Sequence, residues 1–231
     1  MIGVIIELFG EAMLITRDKL HLIESLCETI ECVKYPNYVY HITGDSYFEN
    51  VYHLLFDREE IETDIVSNYP HLIKDIDNPS EAVQLAAVNV RPFIINSITN
   101  PSDSLKLAAV MKHSGVIKFI ENPTEEMQLA AVKRCGNVIV YIENPSHSAQ
   151  LAAVEQNGDA IKHIIDMGVI PSEEVQLAAV EQNGDAIKHI IDMGVIPSEE
   201  VQLAAVEQDV EAIKFITNPS AEVQAVVNMV K

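Results

Sequence analysis

The side chains best equipped for chemistry fall into two groups. The first is Cys27 and Cys32, with His41 and His53 nearby. Thiolate and imidazole are zinc ligands, and a structural zinc takes four of them in a tetrahedron. Here the spacing is Cys-x4-Cys, which on a helix leaves the two sulfurs off a common face. No second pair follows. These thiols read better as small buried apolar groups, and no metal is expected. An enzyme would have to be built in the first 77 residues, with His41, Asp45 and His53 as its groups. The sequence holds no glycine-rich phosphate loop, no Gly-x-Ser-x-Gly and no His-Glu-x-x-His. No cofactor, catalytic residue or enzymatic activity is therefore expected. The second group recurs at a fixed interval: Lys118-Phe119, Tyr141, Lys162-His163, Lys188-His189 and Lys214-Phe215. Rows of like groups suit binding. Catalysis needs unlike groups in one pocket. Ammonium groups beside aromatic faces can hold a peptide, an extended protein surface or stacked bases.

The interval belongs to a tandem repeat that must position these side chains. Its units align by Pro79, Pro101, Pro123, Pro145, Pro171, Pro197 and Pro219, at gaps of 22, 22, 22, 26, 26 and 22 residues. The long gaps contain Asp166-Met167-Gly168-Val169 and Asp192-Met193-Gly194-Val195. Gln150 to Val175 recurs letter for letter as Gln176 to Val201. The register continues upstream, because residues 65–73 match residues 87–95. Phe56 to Asp77 reads as a diverged unit, and a fainter echo places another near residues 22–43. In such arrays each unit buries its apolar face only against its neighbours.

Each unit predicts two short helices of roughly ten and seven residues, too short to be stable alone. Asn can cap the first, with Pro at the first helical position. Acids such as Glu125-Glu126 and Glu173-Glu174 suit the helix dipole. Asn157-Gly158, Asn183-Gly184 and Gly136 read as stops that tolerate positive φ. Asp159 and Asp185 can then cap the second helix, which the next Asn-Pro ends. The expectation is an all-α chain: an α-solenoid of about seven to nine two-helix units, with HEAT-like stacking. Residues 1–21 form a small hairpin or mixed cap, 22–77 are diverged repeats with an insertion, and 78–231 are regular repeats.

Numbering the unit from its Asn sorts the rows. Positions 18 (Ile95, Ile117, Ile139, Ile161, Ile187, Ile213) and 21 (Ile98, Ile120, Ile142, Ile164, Ile190, Ile216) are constant, as core demands. Position 7 is a lone polar residue in an apolar helix, mostly Gln, and is expected to point outward. Position 20 varies: Ser97, Phe119, Tyr141, His163, His189, Phe215. Position 19 is mostly lysine: Lys118, Lys162, Lys188, Lys214. If positions 19 and 20 share an edge, they form the candidate binding stripe. The alternative is that the rings pack on the adjacent unit and the lysines offset acids.

The chain is 48% apolar and 6% aromatic, with no Trp, which suits thin aliphatic layers. Its 3 cysteines are too few for a disulfide framework, so a reducing cytoplasm is expected. Glu7 and Glu11 interrupt the first apolar run, against a signal peptide, and no window reads as a membrane span. The net charge of -20 is uneven. Lys106, Lys112, Lys118, Lys133 and Arg134 balance five acids over residues 100–143, whereas residues 155–214 set three lysines against thirteen acids. Direct nucleic-acid binding is disfavoured, since phosphates need Lys and Arg. The acidic surface either keeps the array soluble or attracts a basic partner, including by mimicry of a nucleic acid.

The unit Asn-Pro-Ser-Glu-Glu-Val-Gln-Leu-Ala-Ala-Val-x-Gln-Asn-Gly-x-Ala-Ile resembles a short helical tandem repeat of bacterial and bacteriophage proteins, a domain family of unknown function. The resemblance is strongest over Gln150–Lys214 and implies no activity or cofactor. By analogy it implies a virus-encoded inhibitor that binds and blocks a host protein, a defence effector or nuclease, in the host cytoplasm. Alternatives are a sequestering binder of a nucleotide signal and a structural scaffold, with self-association through the ends of the array.

Overall fold

The computed structural model of the chain describes residues 58–230. The expected N-terminal cap, the unit near residues 22–43 and the Cys27, Cys32, His41, Asp45 and His53 group lie outside the described residues. The chain divides into two compact units, Met1–Ile98 and Thr99–Lys231. Every regular element among the described residues is helical, and none of these helices is long and apolar enough to cross a membrane.

In the second unit each repeat opens with a ten-residue α-helix. These are Asp103–Lys112, Glu125–Arg134, His147–Gln156, Glu173–Gln182, Glu199–Gln208 and Ala221–Val230. The cap is not the Asn. It is the Ser or Thr two residues later: Ser102, Thr124, Ser146, Ser172, Ser198 and Ser220 each accept from the backbone N–H three residues on. Capping needs an extended backbone such as that of Ser102, at φ -64 and ψ 158. The Asn is used elsewhere. Asn100, Asn122 and Asn218 turn the chain at φ 51, 49 and 57, a region Asn tolerates better than most residues. Glu125, Glu173 and Glu199 occupy the first turns, as the dipole favours.

The second element depends on unit length. In 22-residue units it is a six-residue 3-10 helix: Ser114–Phe119, Gly136–Tyr141 and Val210–Phe215. Position 21 is already extended there (Ile120, Ile142, Ile216), because the chain must reach the next Asn-Pro turn. The seven-residue α-helix expected from the sequence appears only in the long units, as Ala160–Asp166, and as Gly184–Ala186 leading into Ile187–Asp192. Their four extra residues supply about one 3.6-residue turn. Gly168 then ends the helix at φ +79: its N–H bonds the Ile165 carbonyl, and Val169 N–H bonds that of Ile164. This is a Schellman ending.

Positions 18 and 21 turn inward in both kinds of unit, although position 21 lies just past the 3-10 helix in the short ones. Ile117, Ile139, Ile161 and Ile187 are buried completely, and Ile120, Ile142, Ile164 and Ile190 nearly so. They join positions 6, 10 and 11 of the first helices, such as Val175, Ala179 and Val180. The first helices of the second unit pack in series, each on the next, and the second elements do the same from Ser114–Phe119 to Val210–Phe215.

Close approach explains the recurrent glycine at position 15. Gly136, Gly158 and Gly184 do not have positive φ, which corrects their reading as stops. A Cβ on Gly158 would lie 2.5 Å from the Ala179 carbonyl oxygen of the next repeat, and one on Gly184 2.6 Å from that of Ala205. The backbones touch there. The buried N–H of each glycine is satisfied across the joint by the next unit's Gln156, Gln182 or Gln208, which accepts through Oε1.

In the first unit, helix Arg58–Asn68 and 3-10 helix Pro70–Asp75 precede helix Glu81–Val90 and 3-10 helix Pro92–Ser97. The two α-helices pack together, as do the two 3-10 helices. Ser80 caps as its counterparts do, and Asn78 sits at φ 50.

Candidate functional site

Position 7 faces solvent at Gln224, as expected, but not in the preceding repeats. Gln84, Gln128, Gln150, Gln176 and Gln202 donate Nε2 to the proline carbonyl five residues back, at 2.9–3.1 Å. Gln128 and Gln176 are only 7% and 8% exposed. Gln128 also accepts from Ser146 N–H of the next repeat. These glutamines tie helix to turn within each repeat, and Gln128 also ties its repeat to the next.

Positions 19 and 20 range from exposed to half-buried, and the serial packing of the second elements sets them along one edge from Lys118 to Phe215. Phe119 is 40% exposed, Val140 43% and Tyr141 52%. Lys118, Lys162 and Lys214 are exposed, whereas His163, Lys188, His189 and Phe215 are half-buried. The Lys118 ammonium lies 4.7 Å from the Phe119 ring centroid, and Lys214 sits likewise over Phe215. Both are within cation–π range. The row thus presents apolar ring faces beside ammonium groups. Among the described residues no group of His, Cys, Asp and Glu could hold a metal ion.

The stripe has a second component that sequence reasoning assigned to capping. The acids do not cap through their side chains: Asn183 caps Gly184–Ala186 by accepting from Asp185 N–H, and Asn157 accepts from Asp159 N–H ahead of Ala160–Asp166. This Asx geometry suits the extended position 14. The acids instead reach the next repeat. Asp159 accepts from Asn183 Nδ2 at 3.0 Å and lies 3.9 Å from His189 Nε2, and Asp185 lies 3.7 Å from Lys214 Nζ. Asn157 similarly donates to Asn137. The recurrence of Asn at position 14 and Asp at position 16 was the available signal.

This ladder breaks where position 14 becomes Asp209. Its carboxylate still accepts from Glu211 N–H but cannot donate to Asp185, whose buried Oδ1 lacks a hydrogen bond. Asp209→Asn restores the donor and removes a like charge. It is expected to stabilise the chain by about 1 kcal/mol, read as a higher urea midpoint.

His189 is held below its ordinary value of 6.5, first by burial and then by Lys188. Lys162 adds to this effect, and Asp159 and Asp192 oppose it. With the folded value depressed, its contribution to stability is complete above 6.5 and is lost as pH falls through the folded value. His189→Asn is expected to lose less melting temperature than the parent between neutral and mildly acidic pH. An unchanged pH profile would contradict this.

No protein-family model matches the chain, and no curated protein or solved structure is found to match it.

Proposed function

We propose that the chain is a non-enzymatic binding protein, an α-solenoid that takes a protein partner along the edge formed by its second elements. The observation that carries this reading is the outward row on stacked elements, with Phe119 and Tyr141 about half exposed beside Lys118 and Lys162. Aromatic side chains dominate binding energy at protein interfaces. The row varies at position 20 while the buried rows stay isoleucine, as a recognition surface on a fixed frame would. The thirteen acids of residues 155–214 favour a partner with a basic surface and steer its approach. In its narrowest form the function is that of a virus-encoded inhibitor blocking a host defence effector or nuclease in the cytoplasm.

Affinity capture from a bacterial lysate at low and high salt tests the reading. A partner with a basic surface should be retained at low salt and released at high salt, because screening shortens the range of the acidic field. Retention indifferent to salt would contradict electrostatic steering.

A further inference from the structure

The two long repeats each display an isoleucine that the fold does not use. Ile170 is 71% exposed and Ile196 is 90% exposed. They occupy position 1, where the other repeats have Asn, which turns the chain at Asn78, Asn100, Asn122 and Asn218. In the long repeats Gly168 and Gly194 make that turn instead, at φ +79 and +83. Position 1 is thereby freed of any conformational duty, and any polar residue would serve. The display is also rigid. Each isoleucine precedes a buried proline, Pro171 or Pro197, which holds it out of the helical region.

Charge says what fits there. Exposed Asp166 and Glu173 flank Ile170 in the chain, and exposed Asp192 and Glu199 flank Ile196. No Lys or Arg lies between Lys162 and Lys188, or between Lys188 and Lys214. Anionic membrane surfaces and nucleic acids are repelled by such a rim. Spacing narrows the choice further. The first helices of adjacent repeats pack on one another, and helices packed side by side lie about 8–10 Å apart. Seven residues of α-helix rise about 10.5 Å. We infer that Ile170 and Ile196 form a two-point docking site for a basic amphipathic helix, with its apolar side chains at i and i+7 on the two isoleucines and its lysines or arginines facing the acids. The inference rests on the reading that this is a protein-binding chain, but it uses residues outside the row at positions 19 and 20.

The test is fluorescence anisotropy with a labelled lysine-rich helical peptide carrying leucines at i, i+4 and i+7. A control peptide of the same composition has its leucines spread around the helix. The parent protein should bind the amphipathic peptide at least tenfold more tightly than the control. Ile170→Ser with Ile196→Ser should abolish that difference without changing the melting temperature, whereas Phe119→Ala with Tyr141→Ala should leave it intact. Equal binding of both peptides, or full discrimination by the double-serine protein, overturns the docking site. Lysate capture separates the two readings. A partner lost with the Phe119 and Tyr141 pair but kept by the double-serine protein overturns the site and preserves the broader function. Loss of discrimination in the double-serine protein alone, with no partner captured by the parent, supports the site and counts against the row.

Discussion

Gly158→Ala is expected to destabilise the chain by about 3 kcal/mol, since overpacking a close-packed contact without room to relax costs on that scale. For a chain of this length that corresponds to roughly 6–12 °C in melting temperature. The new Cβ would meet the Ala179 carbonyl oxygen at 2.5 Å, Gln182 Oε1 at 2.8 Å and Asn183 Cβ at 2.9 Å. The carbonyl belongs to the helix Glu173–Gln182, so relief requires that helix to back away. Doing so also lengthens the bond from Gly158 N–H to Gln182. Gly168→Ala is the informative contrast. Nothing lies within 4 Å of its Cβ, but φ is +79, so its cost is conformational, about 1–2 kcal/mol. If the Gly158 substitution proved the milder of the two, the close-approach explanation of position 15 would fail.

The second large effect is on binding. Phe119→Ala combined with Tyr141→Ala is expected to weaken partner binding by a hundredfold or more. Each ring has the exposure of an interface anchor, and truncating such anchors commonly costs about 2 kcal/mol apiece. The same pair should move stability little, because both rings are substantially solvated before binding, at 40% and 52% exposure. A loss of binding that tracked a loss of melting temperature would mean that the rings serve packing instead.

The constant rows were legible in the sequence. Isoleucines at positions 18 and 21 spaced by a repeat read as core and, apart from the half-buried Ile213, are core, because burial constrains residue type directly. So were the acids of the first turn and the partial exposure of position 20. Three features were not legible, for related reasons. The cap fell on Ser or Thr rather than Asn because an Asn-Pro-Ser opening offers two plausible capping oxygens, and only the backbone angles choose between them. Glycine at position 15 signals positive φ and close approach equally well in a sequence. The decisive contact, with Ala153, Ala179 or Ala205, is made by the next repeat some 17–21 residues away. Glutamine at position 7 follows the same logic. A polar residue in an apolar helix points to solvent unless a backbone carbonyl is within reach, and here the Pro171 and Pro197 carbonyls and their counterparts are. What crosses between repeats is what a single unit cannot announce.

The most direct test places recognition on the second-element edge or removes it from there. The parent protein and its Phe119→Ala, Tyr141→Ala form are immobilised side by side, challenged with the same bacterial lysate at low salt, and the retained proteins identified and quantified. The expected result is a protein with a basic surface held by the parent and missing from the variant, with both baits equally folded. Recovery of the same partner in equal amount on both baits would contradict the assignment.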